Sequence, residues 1–227
     1  MDAGHYPWGW QENDYDDSGW LPARDWQPAL PRWGHNRDIY KAWKLVARSI
    51  PPMEESLLRI PRVVRAAGIR TDGGFLTGKG ALVIPANTRA TLLLDQTQLT
   101  TAYPVLVTSG GQGAKVTLTY AEALKDTNDQ KGNRNEIEGK RINGYQDVFL
   151  PDGGQRREWR ALWFRTYRYL QLDIETGDQA LTLNDMYGIF TAYPFDERAA
   201  FTSSDESLQA IWDVGWRTAR GTPASRR

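Results

Sequence analysis

Glu122, Asn133, Arg134, Asn135, Glu136 and Asp147 form the richest polar set in the chain. Planar donors and acceptors of this kind recognise sugar hydroxyls when an aromatic face lies beside them. The same residues also fit a plainer arrangement, a solvated loop tied by internal ion pairs that contribute little when exposed. Trp8, Trp10, Trp20, Trp26 and Trp33 offer aromatic faces for stacking, although the apolar area of each indole favours burial at a domain junction. With two histidines, His5 and His35, and no cysteine, a serine-histidine-aspartate triad or a histidine metal site would depend on one of two loop residues.

Two further motifs fail on inspection. Gly73-Gly74-Phe75-Leu76-Thr77-Gly78-Lys79-Gly80 has phosphate-loop spacing up to its lysine. Gly80 stands where a magnesium-binding hydroxyl is required, and Ala81 to Pro85 reads as strand where a helix must begin. Asp126 to Lys131 opens like a helix-loop-helix calcium loop, but Lys131 replaces the turning glycine and Ile137 the closing glutamate. Calcium in some other loop geometry is the single cofactor left open, and no ligand set can be assigned to it.

The elements that must position these residues read as all-β. From Thr71 to Pro194, short runs recur at 81–84, 90–95, 105–108, 116–120, 145–150, 159–174 and 181–191, separated by glycine, proline and asparagine turns. No helical period intervenes, which predicts an antiparallel β-sandwich or jelly roll. Register is clearest in Lys115 to Tyr120, where Val116, Leu118 and Tyr120 share a face. The 159–174 run is expected to be one structural strand covered on both faces. Upstream, strands are expected from Ala42 through Arg48, stopping at Ile50-Pro51-Pro52, and at 62–66. The end differs: Ser203 and Glu206 form a capping box, and Leu208, Ile211, Trp212, Gly215, Trp216 and Ala219 recur on one helical stripe that Gly221 and Pro223 terminate. Trp212 or Trp216 is expected to pack against the sandwich or a second copy.

Lysine plus arginine and aspartate plus glutamate are equal at 28 each, so no single-sign field exists to hold nucleic acid or an anionic membrane. No apolar run approaches the roughly 20 residues that span a bilayer, and Met1-Asp2-Ala3-Gly4 has no secretory-signal character. Neither nucleic acid nor a membrane is an expected partner.

An ordered string of motifs then carries a resemblance. Tyr120-Ala121-Glu122-Ala123-Leu124, Lys131 to Ile137, Gly144-Tyr145-Gln146-Asp147, Leu162 to Tyr169 and Phe201 to Asp205 resemble the β-sandwich that precedes the catalytic barrel in bacterial α-L-rhamnosidases. Asp17 to Trp20 and Ala47 to Glu55 are similar to the linking stretch of those enzymes. The resemblance implies a tail of a preceding domain and linker over 1–70, an accessory sandwich over 71–200, and over 201–227 a helix leading into a catalytic (α/α) barrel that the chain lacks. It implies a parent that hydrolyses terminal rhamnose with inversion, with rhamnose-containing glycans and the barrel as partners, in the periplasm or outside the cell. Since nothing in the chain matches the family's catalytic acid or base, this piece is expected to be inactive. Two other readings stay open: an independent carbohydrate-binding module, and a structural or adhesive sandwich.

Overall fold

The structure, a computed structural model, describes residues 1–24, 30–31 and 44–220. It forms two units, Pro7–Pro52 and Met1–Tyr6 with Met53–Arg227. In the smaller unit, β1 (Leu30–Pro31) runs parallel to β2 (Lys44–Leu45). The proline-rich opening forms turns, with the amide of Trp10 bonded to the Pro7 carbonyl and that of Trp20 to the Asp17 carbonyl. These turns leave Trp10 and Trp20 about half exposed, which corrects the expectation of buried packing for those two indoles. Trp26, Trp33, His35, Ala42 and Trp43 lie outside the described residues, and of the strand expected from Ala42 onward the described residues form only Lys44–Leu45.

The larger unit is an all-β, antiparallel sandwich of jelly-roll type with a C-terminal helix. Its strands are β3 (Glu54–Arg59), β4 (Arg62–Ala67), β5 (Leu82–Ile84), β6 (Arg89–Gly110), β7 (Lys115–Ala121), β8 (Tyr145–Phe149), β9 (Arg157–Arg160), β10 (Arg165–Glu175) and β11 (Leu181–Ala192). β6 joins both layers. Its first part pairs with β4 and β10, and β10 continues to β7 and β8. Its last part pairs with β9 and β11, and β11 continues to β3 and β5. The two runs expected at 90–95 and 105–108 are therefore one strand. Pro104 reads as a break in sequence, because it cannot donate to a ladder, yet here it lies inside β6 opposite Gly188.

Between the layers, Leu92, Leu94, Leu118, Leu170 and Leu172 from one side are almost fully buried, as are Leu106, Trp159, Leu183 and Met186 from the other. Phe149 and Trp159 meet across the gap, ring centroids 6.3 Å apart. Each such side chain contributes about 1.5–3 kcal/mol on burial. The predicted face of β7 is present: Val116, Leu118 and Tyr120 point inward.

Two expectations change in detail. The run at 159–174 divides into β9 and β10, and the intervening turn leaves Leu162 fully exposed and Trp163 largely so. β3 and β4, expected before the sandwich boundary at residue 70, are hydrogen-bonded into the sandwich, and Asp2 bridges to Leu150 beside β8. The segment 73–80 folds as a 3-10 turn, Gly74–Leu76, that buries Phe75 and Leu76 and so anchors a connection.

Helix α1 spans Ser207–Arg220. Its cap is Asp205, which accepts the Ser207 amide at 3.0 Å, two residues beyond the expected Ser203. Ser203 instead accepts the Asp205 amide at 3.1 Å and so orients the cap. Trp212 stacks on Phe201 with centroids 5.6 Å apart, and Arg220 pairs with Glu54 of β3. Trp212 and Trp216 are both half-buried, whereas Leu208, Ile211 and Val214 stay exposed. Gly221 and Pro223 lie outside the described residues. No helix among the described residues is long and apolar enough to cross a membrane.

Candidate functional site: a polar cleft built by one loop

The segment from Glu122 to Asn143 is nearly devoid of regular structure, yet it is fixed on the outer face of the β4-β6-β10-β7 layer. Apolar contacts hold it first. Leu93 and Tyr169 point outward from β6 and β10 and are fully buried with Leu124, while Val64, Ile137 and Ile142 pack around them. Polar anchors complete the attachment. The Arg65 guanidinium donates to the Lys140 carbonyl at 3.0 Å and to that of Ile137, and the Tyr169 hydroxyl donates to the Arg134 carbonyl at 2.7 Å. Within the loop, Lys140 Nζ donates to the carbonyls of Lys131 and Asn133, each at 3.0 Å, and lies 3.2 Å from Glu136. At Gly144 a Cβ would fall 1.8 Å from the Tyr120 carbonyl oxygen, so glycine alone lets the loop rejoin the sheet as β8.

The second wall comes from an irregularity in β6. Asp95 pairs with Tyr169 and Thr100 with Tyr167, so Gln96, Thr97, Gln98 and Leu99 bulge opposite Arg168 alone. Asp95, buried at the base, accepts from Arg168 Nε at 3.0 Å, from Arg62 Nη2 at 2.7 Å and from the Thr97 amide at 2.7 Å. Burial pushes this carboxyl toward its neutral form, but the two guanidiniums and the amide outweigh it and hold its pKa below the usual carboxylate range. Arg168 also reaches the loop, donating to Asn135 Oδ1 at 2.6 Å. One buried arginine thus ties the bulge to the loop.

Bulge, loop and the last turns of α1 enclose a cleft of about 560 Å³. Glu122, Lys131, Arg134 and Asn135 line it from the loop, Gln98, Thr100 and Thr101 from β6, Thr166 and Arg168 from β10, and Val214, Arg217 and Thr218 from α1. Beneath this lining Gln98 Oε1 and Thr100 Oγ1 are closed to solvent and have no hydrogen-bonding partner in the protein. Each unsatisfied group costs about 1–3 kcal/mol. Thr97, on the rim, has φ +68°, a left-handed conformation that opposes a β-branched side chain. Thr97→Gly is expected to raise unfolding stability by about 1 kcal/mol, read as a higher urea midpoint at unchanged slope.

Of the six residues singled out in sequence, Glu122, Arg134 and Asn135 come together in the cleft. Asn133 and Glu136 belong to the same loop but serve it internally: Asn133 Oδ1 accepts the Asn135 amide at 3.0 Å, and Glu136 faces Lys140. Asp147 is elsewhere. Its register partner is Leu118, which places it on the inward row of β8, where Arg165 holds it with bonds of 2.9 and 2.7 Å. That carboxylate's hydrogen bond raises the Arg165 pKa above its ordinary value. The residues missed in sequence are Lys131 of the loop and those of β6, β10 and α1. The only sequence trace of the bulge is the polar run Asp95-Gln96-Thr97-Gln98 that follows Leu92-Leu93-Leu94. Nothing local connects that run to Arg217.

Asp126 spends its carboxylate on the amides of Asn128 and Gln130, and Asp129 pairs with Lys125. Among the described residues no three acidic or histidine side chains converge on a metal-sized point. His5 sits in an exposed pair with Asp2.

Residues 86–190 match the family model for the bacterial alpha-L-rhamnosidase concanavalin-like domain. The alpha-L-rhamnosidase from Dictyoglumus thermophilum is similar in fold, with TM-score 0.57 and 15% identity over 98% of this chain and 21% of that one. The native alpha-L-rhamnosidase from Aspergillus terreus gives 0.54 and 15% over 96% and 21%. A rhamnosidase from Klebsiella oxytoca with rhamnose bound gives 0.54 and 16% over 75% and 36%. The chain thus spans between about a fifth and about a third of these relatives' length. No curated protein matches it by sequence. The match over β6 to β11 and the jelly-roll sheet make this sandwich similar in sequence and fold to the concanavalin-like domain of bacterial α-L-rhamnosidases.

Proposed function

We propose that the chain is an accessory region of an α-L-rhamnosidase-type glycoside hydrolase, bracing a catalytic (α/α) barrel and offering the cleft as a sugar-contacting surface. The observation that carries this reading is the cleft itself: a sugar-sized space lined by Glu122, Arg134, Asn135 and Arg217 on a sandwich that matches this family's domain model. The exposed Leu208, Ile211 and Val214 of α1 support a role in bracing, because a row of apolar side chains on one helix gains by being covered. Rhamnose-containing glycans are the proposed ligands, and an exported parent, periplasmic or extracellular, is the setting where such polymers are met.

The cleft does not suit hydrolysis. Inverting glycosidases set two carboxyl groups about 6.5–9.5 Å apart across the bond they cleave. Among the described residues Glu122 is the one carboxylate lining this cleft; Asp95 lies beneath it, held by Arg168 and Arg62. The chain is therefore expected to leave 4-nitrophenyl α-L-rhamnoside intact while binding methyl α-L-rhamnoside weakly in a calorimeter. Turnover that is lost on mutation within this chain would contradict the accessory reading. Absence of any sugar heat would remove the sugar-contacting role and leave the purely structural sandwich.

A further inference from the structure

The cleft is unevenly charged, and the imbalance names a ligand class. Its lining cations are Lys131, Arg134, Arg168 and Arg217. Lys131 lies 3.3 Å from Glu122, and Arg168 is bonded to the buried Asp95 at 3.0 Å. Those pairs neutralise two of the four cations. Arg134 and Arg217 remain, and among the described residues neither has an acidic partner. They approach the cleft from different elements, the loop and the last turns of α1. A guanidinium presents a flat pair of donors that matches a carboxylate, and in a partly enclosed space such a bond is stronger than a neutral one.

The hydroxyls of a sugar ring would meet the exposed polar side chains of the lining, Glu122, Asn135 and Thr166. Beneath them the Thr100 hydroxyl and Gln98 Oε1 are closed to solvent. A free anion meets the arginines alone, and a neutral sugar leaves the arginines unmatched.

Building on the sugar-contacting reading, we propose that the cleft selects an acidic sugar, a pyranose whose hydroxyls meet Asn135 and Thr166 while its carboxylate lies between Arg134 and Arg217. The occupant is thus a uronic acid residue of a glycan. Rhamnose, which carries no charge, occupies the same cleft more weakly.

The experiment is calorimetry or heteronuclear shift titration of the full chain with methyl glucuronoside, methyl glucoside, methyl rhamnoside and sodium acetate. The uronoside is expected to bind about tenfold more tightly than its neutral counterpart at low salt. That preference should fall away at about 1 M salt, where charges are screened beyond about 3 Å. Arg134→Gln and Arg217→Gln are each expected to remove most of the preference, read as the ratio of uronoside to neutral-sugar affinity. Arg134 is exposed and Arg217 half-exposed, so neither change threatens the fold, and an unaltered urea midpoint confirms it. Equal affinity for uronoside and glucoside overturns the inference but leaves the sugar-contacting reading standing. Acetate binding as tightly as the uronoside reduces the cleft to an anion site and also overturns it. No binding of any sugar overturns both.

Discussion

Arg168→Leu is expected to destabilise the sandwich by about 3–5 kcal/mol, because it strands the Asp95 carboxylate in a site with almost no solvent access. Arg62 alone cannot replace it. Arg62 reaches Asp95 Oδ2 from the exposed side, and its own side chain is more than half exposed. The loss should depend on pH in a defined direction. In the native chain the Asp95 pKa is held below that of the unfolded chain, so its contribution is present above about pH 4 and is lost as pH falls through the lower folded value. In the variant, burial is opposed by one cation fewer and favours the neutral acid. The difference between native and variant should therefore be largest near neutrality and shrink below about pH 4. Urea unfolding at pH 7 and pH 3.5 measures both quantities; a difference that is constant with pH would mean that Arg168 acts through packing alone.

Leu93→Ala is expected to cost about 3 kcal/mol, within the range of about 2–5 kcal/mol for emptying a fully buried leucine site. Its particular consequence is on the loop. Leu93 points away from the interlayer core and is buried by Leu124 and Tyr169, with Ile137 and Ile142 at the margin. Truncation removes the surface on which the loop rests, leaving Arg65 and Arg168 to bond a segment that is no longer packed. Amide hydrogen exchange over residues 122–143 should accelerate by far more than that of β7 or β11. Leu172→Ala, on the inward face of β10, provides the contrast: a similar loss of stability with no selective loosening of the loop. Equal protection of the loop in both variants would show that it is held by its polar anchors and not by this second, smaller core.

The sandwich was legible in the sequence because strands that bury one face alternate, as Val116, Leu118 and Tyr120 do, and because glycine and proline turns mark where each strand stops. The cleft was legible only in part. Glu122, Arg134 and Asn135 were recognisable by residue type, but alternation predicts a continuous ladder and has no way to signal that β6 spends four residues opposite Arg168. The same irregularity explains why Leu92, Leu93 and Leu94 form an unbroken apolar run. This stretch of β6 is covered on both faces, by the other layer on one side and by the loop on the other. Asp147 misled for the opposite reason. It follows the polar loop closely in sequence, but glycine at 144 returns the chain to the sheet, and from there pleating directs Asp147 to Arg165. Arg217 could not be found at all, since its membership of the cleft depends on where α1 lies, and Arg220 with Glu54 is a contact across 166 residues.

The central claim is that a loop clamped on the outer face of the sheet builds a sugar-contacting cleft lined by Glu122, Arg134 and Asn135. The most direct measurement is a backbone shift titration of the chain with methyl rhamnoside and methyl glucuronoside. The account predicts that perturbed amides cluster at 97–101, 122–135 and 214–218, with those near Arg134 and Arg217 responding more to the uronoside. Perturbations gathered instead at the exposed Leu162 and Trp163, or none at saturating sugar, would contradict it.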